Sequence, residues 1–348
     1  MKKSLLAIAV AATMAAPAAV MAAPTVYGNV HLSINAADND IPNAENNITM
    51  SSNTSSLGVK GSEDLGDGLK AIYKVEFGVG IAAGATTDPD SNAPGLGGAN
   101  GQSAASTGGL SRRDQFVGLK GGFGTIKLGT MSSNYKQMGG KVDPFYRTPL
   151  EGRGFLATQS RLHGGAGIDR GRSTNTFQYV SPKMGGISLV ANHTFSGAND
   201  ETNGVGVRWS NKTILAYADW IDGMTTQACP TCTGDTQSAM KLGGKFHTKA
   251  FSVGLQYEAA ADQTSADYMF LSGTFNINKN NMIGLTYGLQ DRDEASGLPD
   301  DDSTGVALLY NHKLSKMTNV YAGYGAKSED DTARGDESMI TFGIRKKF

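Results

Sequence analysis

Period-two alternation of apolar and polar residues constrains this chain more than any other feature. It recurs in segments of about 9–11 residues, the length a tilted strand needs to cross a bilayer. The closing segment, ESMITFGIRKKF (337–348), puts Ile340, Phe342, Ile344 and the terminal Phe348 on one parity, and Met339, Thr341, Gly343, Arg345 and Lys347 on the other. A strand with this pattern has one greasy face and one wet face. At the open edge of a soluble sheet it invites aggregation, whereas in a closed barrel it has no free edge.

Sixteen such segments can be read along the chain. Thr25 to Asn35 comes first, then Ser52 to Gly61, with Lys60 turned inward, and Leu69 to Phe77. In the third, Leu69, Ala71, Tyr73, Val75 and Phe77 oppose Lys70, Ile72, Lys74 and Glu76. Arg112 to Lys120 and Thr125 to Thr130 follow, and eleven more run from Arg172 to Phe348. The most regular of these sets Phe251, Val253, Leu255 and Tyr257 against Ser252, Gly254, Gln256 and Glu258. Short turns alternate with longer acidic connections such as Asp291–Glu294, Asp300–Asp302 and Glu329–Asp331. This asymmetry between two rims predicts an all-β fold, a 16-stranded antiparallel transmembrane β-barrel whose termini meet at the short-turn rim. A secreted sandwich or solenoid leaves the turn asymmetry and the terminal aromatic unexplained.

Residues 1–22 read as an export signal. Lys2 and Lys3 precede an apolar stretch from Leu5 to Ala19, and Val20-Met21-Ala22 has the small residues of a cleavage site. Domain organisation is therefore a signal peptide over 1–22 and one barrel over 23–348. Without Lys2 and Lys3 the chain carries 29 basic and 32 acidic residues, a balance that argues against nucleic acid as a partner. Glycine, 46 of 348 residues, is about twice the usual share, which suits turns and a roomy interior. Cys229 and Cys232 follow an export signal, so a local loop disulfide is favoured. A redox motif lacks a surrounding βαβ pattern, and a zinc site lacks further ligands.

The chain resembles the general diffusion porins of Gram-negative outer membranes. The resemblance spans the whole mature chain and rests on VYGNVH (26–31), SLGVKGSEDLGDGL (56–69), FVGLKGGFG (116–124), YVSP (179–182), YAGYG (321–325) and FGIRKKF (342–348), in that order. It implies an outer-membrane barrel that passes ions and small hydrophilic solutes by passive diffusion. It also implies a homotrimer, contacts with outer-membrane lipid and lipopolysaccharide, a third long loop folded into the lumen, and a terminal Phe348 read by the barrel-assembly machinery. Independently, sixteen strands enclose an aqueous lumen, which something must narrow. The segment 131–170 has no clear period and is the only one placed and sized to do so.

That segment holds the acids Asp143, Glu151 and Asp169 and the bases Lys136, Lys141, Arg147, Arg153, Arg161 and Arg170. The resemblance sets loop carboxylates, Glu151 foremost, against a basic wall that includes Arg113. By parity Lys60, Lys70, Lys74 and Lys127 extend this wall, and either Arg112 or Arg113 faces the water. Ser56 stands where the family often has arginine. Bases outnumber acids on the loop by six to three, which favours anions, while acidic rim loops draw cations to the mouth. Phe145, Tyr146 and Phe155 would suit a substrate-selective channel for a sugar, peptide or organic anion. The acidic loops read first as solubilising charge; the alternative is oxygen ligation of Ca2+ or Mg2+ that bridges to lipopolysaccharide phosphates. Tyr27, Trp209, Trp220, Tyr310 and Tyr321 read as interfacial aromatic girdles. The five histidines are scattered and none lies in a nucleophile motif, so no enzyme is expected.

Overall fold

A computed structural model describes residues 23–40, 47–82, 110–163, 172–195, 201–223, 237–261, 266–292, 302–330 and 335–348. The export signal, Asp169, both cysteines and most of the acidic loop residues lie outside the described residues. The strands are β1 (Thr25–Asn39), β2 (Asn47–Ser52), β3 (Ser56–Gly66), β4 (Leu69–Val79), β5 (Leu110–Gly121) and β6 (Gly124–Ser132). Next come β7 (Arg172–Val180), β8 (Ile187–Thr194), β9 (Thr202–Ser210), β10 (Ile214–Gly223), β11 (Gln237–His247) and β12 (Phe251–Ala259). The series ends with β13 (Ala266–Asn276), β14 (Asn281–Arg292), β15 (Ser303–Lys313), β16 (Thr318–Glu329) and β17 (Glu337–Lys347).

All seventeen segments join in one sheet that closes on itself through β1 and β17, with Asn29 opposite Lys347 and Ala36 opposite Ile340. Both β2 and β3 pair with the same edge of β1, so they are one interrupted stave and the barrel has sixteen. Every pairing is antiparallel between neighbours, so no edge is left open. At the seam the chain end docks on β1: Gly28 N–H donates to the Phe348 carbonyl at 3.0 Å, and Phe348 N–H returns a bond at 3.2 Å. The Phe348 ring lies over Gly28, in space that a Cβ there would occupy.

Parity behaves as lipid and water demand. Val253, Leu255, Leu271, Leu285, Leu308, Ile340 and Phe342 are exposed on the outer face, while Gln256, Glu258, Ser272, Thr286 and Thr341 are buried inside. A belt of exposed aliphatics this extensive is stable against hydrocarbon and costly against water. Among the described residues no helix is long and apolar enough to cross a membrane. Two expected girdle residues are corrected. Tyr27 donates to Glu76 Oε2 at 2.8 Å and Tyr321 bonds His31 Nε2 at 3.0 Å, so both point inward. Trp209 and Tyr310 are exposed on the outer face.

The segment after β6 is not structureless. Ser133 caps a helix, α1 (Asn134–Val142), by accepting from the Lys136 N–H. Tyr135, Met138 and Val142 fall on one face and are buried. A pair of glycines, Gly139 and Gly140, weakens the helical signal in the sequence. The hydrophobic core of the molecule lies here, between this loop and the inner wall. One cluster joins Phe145, Leu150, Phe155 and Leu156 to Ala307, Leu309, Tyr321 and Met339. Two smaller ones seat Tyr135 and Leu162 against Tyr268, and Met138 and Val142 against Tyr217 and Phe270.

Candidate pore constriction

The loop is fastened to one side of the interior. Asn134 donates to Asp219 Oδ1 at 3.0 Å and to the Val205 and Trp220 carbonyls, while Arg208 donates to the Asn134 carbonyl. Ser272 Oγ donates to the Val142 carbonyl at 2.6 Å. At the centre, Lys241 Nζ lies 3.9 Å from the Tyr135 ring centroid and 2.9 Å from His163 Nε2, and it donates to the Tyr135 carbonyl. Glu258 accepts from Tyr135 Oη at 3.0 Å and from Ser160 Oγ. Burial and the Lys241 charge hold His163 well below its usual range, so it stays neutral. Ser160, His163 and Glu258 do not make a nucleophile set. The serine donates to the carboxylate rather than to the histidine, and all three are sealed from water.

Wall glycines serve as sockets for this loop. A Cβ on Gly284 would meet Phe145 at 2.6 Å, one on Gly305 would meet Thr158 at 2.6 Å, and one on Gly325 would meet Leu150 at 2.7 Å. Inward glycine therefore makes room for packed side chains here, not for water.

Opposite stands a charged wall. A bulge between β4 and β5 sets Val75 against Gln115 and Phe77 against Arg112, leaving two residues to face Glu76. Arg113 and Asp114 therefore both turn inward. Arg113 Nε lies 2.7 Å from Glu76, Lys74 lies 3.1 Å from Glu76 and 3.0 Å from Asp114, and Arg172 lies 2.9 Å from Asp114. Three cations thus alternate with two carboxylates. Arg112 is corrected: it is exposed and sits opposite outward-facing Phe77. Lys127 bonds Gln178 at 3.1 Å, Lys60 lies 5.1 Å from the Tyr27 ring, and Lys70 is 3.8 Å from Asp64 at the short-turn rim.

A cavity of about 400 Å3 separates wall from loop, lined by Asp114, Phe116, Lys127 and Gln178 on one side and Lys136, Gln137, Lys141 and Tyr146 on the other. The two described loop acids, Glu151 and Asp143, do not reach it. Glu151 is 0% exposed, accepts from the Arg147 N–H at 2.8 Å and pairs with Arg153 Nε at 3.0 Å. Asp143, 3% exposed, accepts from the Phe145 and Gly152 N–H groups at 2.8 and 2.9 Å. Burial, and next the Glu151 charge, push Asp143 up to about 7. Arg153 is consumed in the same loop interior, donating to the His163 carbonyl and lying 4.6 Å from the Tyr146 ring centroid. Arg147 lies 5.6 Å from that ring. The expectation of Glu151 and Asp143 as water-facing acids is therefore corrected: desolvated carboxylates are held by backbone amides and arginine. Of the loop aromatics, Phe145 and Phe155 are core and Tyr146 alone lines the cavity.

Sequence reasoning missed Asp114, Arg172, Gln178, Lys241 and Glu258. The inward parity of Gln178, Lys241 and Glu258 was readable; the bulge that turns Asp114 inward was not. Among the described residues no group of three or more His, Cys, Asp or Glu is placed to hold a metal ion.

Known proteins agree with this geometry. A family model described as Gram-negative porin matches residues 7–332. The major outer membrane protein P.IB of Neisseria lactamica is 30% identical over the full length of both chains. That of Neisseria gonorrhoeae is 32% identical over 62% of this chain, and the match spans about half, 56%, of that relative. Among solved structures, the anion-selective porin from Comamonas acidovorans superposes with a TM-score of 0.75 at 20% identity, covering 94% of this chain and 99% of that one. OmpT of Vibrio cholerae, described as a trimer form, superposes with a TM-score of 0.61 at 16% identity, covering 94% and 100%. Closed barrel, loop-narrowed interior and family match converge: this chain belongs to the Gram-negative porin family of outer-membrane β-barrels.

Proposed function

We propose that this chain forms a water-filled outer-membrane channel for passive diffusion of ions and small hydrophilic solutes, with a preference for anions. One observation carries the reading. The loop after β6 packs against β9–β16 and leaves a passage along β5–β7 whose lining holds Lys127, Lys136 and Lys141 against Asp114, itself engaged by Lys74 and Arg172. Lys127 and Lys141 on that lining give a narrow aqueous path a positive potential, and charge of one sign at a constriction selects the opposite ion. The anion selectivity stated for the Comamonas porin of like fold supports the same reading. Lys127, Lys141 and Tyr146 replace Glu151 and Asp143 as the constriction residues.

The assembly is read as a homotrimer, as in the trimer form of OmpT. Residues 1–22 are read as the signal removed on export, and Phe348 as the assembly signal. Single-channel recording in planar bilayers tests the whole. Insertion should give three equal conductance steps, and a salt gradient should give a reversal potential of anionic sign. Silence at high protein load would remove the channel reading, and a cationic sign would remove the preference.

A further inference from the structure

The charge pattern at the short-turn mouth is unlike that of the passage above it. A cavity of about 250 Å3 opens there on the other side of Tyr146, between the loop and β14–β17. Lys313, Lys316, Arg345 and Lys347 line it, and no carboxylate does. None of the four makes an ion pair among the described residues; Arg345 Nε has only the neutral Asn29 Oδ1, at 2.7 Å. Arg147 is near enough for its charge to act on Arg345, Lys347 and His31. Its backbone sits at φ 70°, a left-handed conformation unusual for a side chain of this size, and its Nε is buried without a hydrogen-bond partner. His31, 1% exposed, lines the same cavity with Nδ1 unpartnered.

Five cations held on rigid strands, a tight turn and a packed loop repel one another. The low-dielectric barrel wall strengthens that repulsion over its value in bulk water. On the charged wall, Glu76 and Asp114 offset a similar crowd; at the mouth no carboxylate side chain among the described residues lines the cavity. We propose that this cavity is a binding site for a small multivalent oxyanion of the phosphate class, placed at the short-turn end of the channel. Guanidinium and ammonium donors converging from three elements match the several oxygens of such an ion, and a multivalent anion relieves more repulsion than chloride. Its role as a station for permeating anions rests on the channel reading; its occupancy does not.

Binding and transport are therefore measured separately. Calorimetric titration of the detergent-purified full-length protein with inorganic phosphate and with pyrophosphate, at constant ionic strength, should show saturable binding that strengthens with ligand charge. Lys313→Gln/Lys316→Gln, at the exposed turn, should weaken it about tenfold, and Arg345→Gln/Lys347→Gln should do the same on a second element. Lys212→Gln/Lys249→Gln, an equal charge change at other short turns outside the cavity, should leave it unchanged. In bilayers, phosphate added at the short-turn side should block chloride current at lower concentration than from the other side. Lack of binding, or equal loss in the control pair, overturns the site even if the channel conducts. Binding lost only in the cavity variants upholds it even if no current flows.

Discussion

Along β9–β16 the inner wall of the barrel meets a folded loop; along β3–β7 it meets the passage. The first wall is paved with Gly284, Gly305 and Gly325 and with aromatic and aliphatic residues, and its charges, Lys241 and Glu258, are sealed in loop contacts. The second carries Arg113, Glu76, Lys74, Asp114 and Arg172 in an alternating ladder, of which Asp114, together with Lys127, lines the passage. The same inward parity thus serves two materials. Where the loop lies, removing water rewards shape fit and matched polar partners. Where it does not, solvation allows charge to stand at the surface and act on passing ions.

The comparison can be broken most severely at the clamp. Lys241→Ala leaves the Tyr135 carbonyl and His163 Nε2 buried without their common donor, each such loss typically costing about 1–3 kcal/mol. It should lower the unfolding midpoint in denaturant and release the loop, seen as noisy, enlarged conductance. Unaltered stability would mean that the clamp holds nothing. Overpacking a socket comes next. Gly305→Val should cost about 1–3 kcal/mol and push Thr158 and Leu156 off the wall, raising single-channel conductance. The contrasting substitution, Lys127→Glu on the wet wall, should leave thermal stability nearly intact while moving the reversal potential toward cations.

A subtler effect is expected from Asp143. Its folded-state pKa is raised, so the neutral acid is the favoured form in the fold. The loop's hold is greatest below the ordinary carboxylate range and weakens as pH rises toward about 7. Voltage-induced closures should therefore become more frequent from about pH 5 to about pH 7.5, and Asp143→Ala should lose that dependence. The smallest effect belongs to Arg112→Gln: this residue faces away from the lumen, so reversal potential and conductance should not move. A shift comparable to that of Lys127→Glu would put it back in the pore.

Much of the strand plan was legible. Arg172 to Val180 reads as a strand and is one, and Leu69 to Phe77 divides by parity into the faces the barrel uses. The second segment was harder, because Asn53–Ser55 interrupt it between β2 and β3. Helix α1 had a readable cap in Ser133 and an apolar face in Tyr135, Met138 and Val142, but Gly139 and Gly140 blurred it. The charged residues were least legible. Nothing near Glu151 in the chain says that Arg153 and the Arg147 amide will enclose it.

A closed barrel, its lipid and water faces and the segment available to narrow it are all written in the order of residues along the chain. These follow from local alternation, which each strand reads against its two solvents independently. Which charges touch water emerges only when the chain is folded. That depends on where the loop comes to rest, and its resting place is set by Lys241, Glu258, Ser272 and the glycine sockets, some 100 positions or more along the chain. Desolvation is a property of the neighbours that arrive, not of the residue that is desolvated.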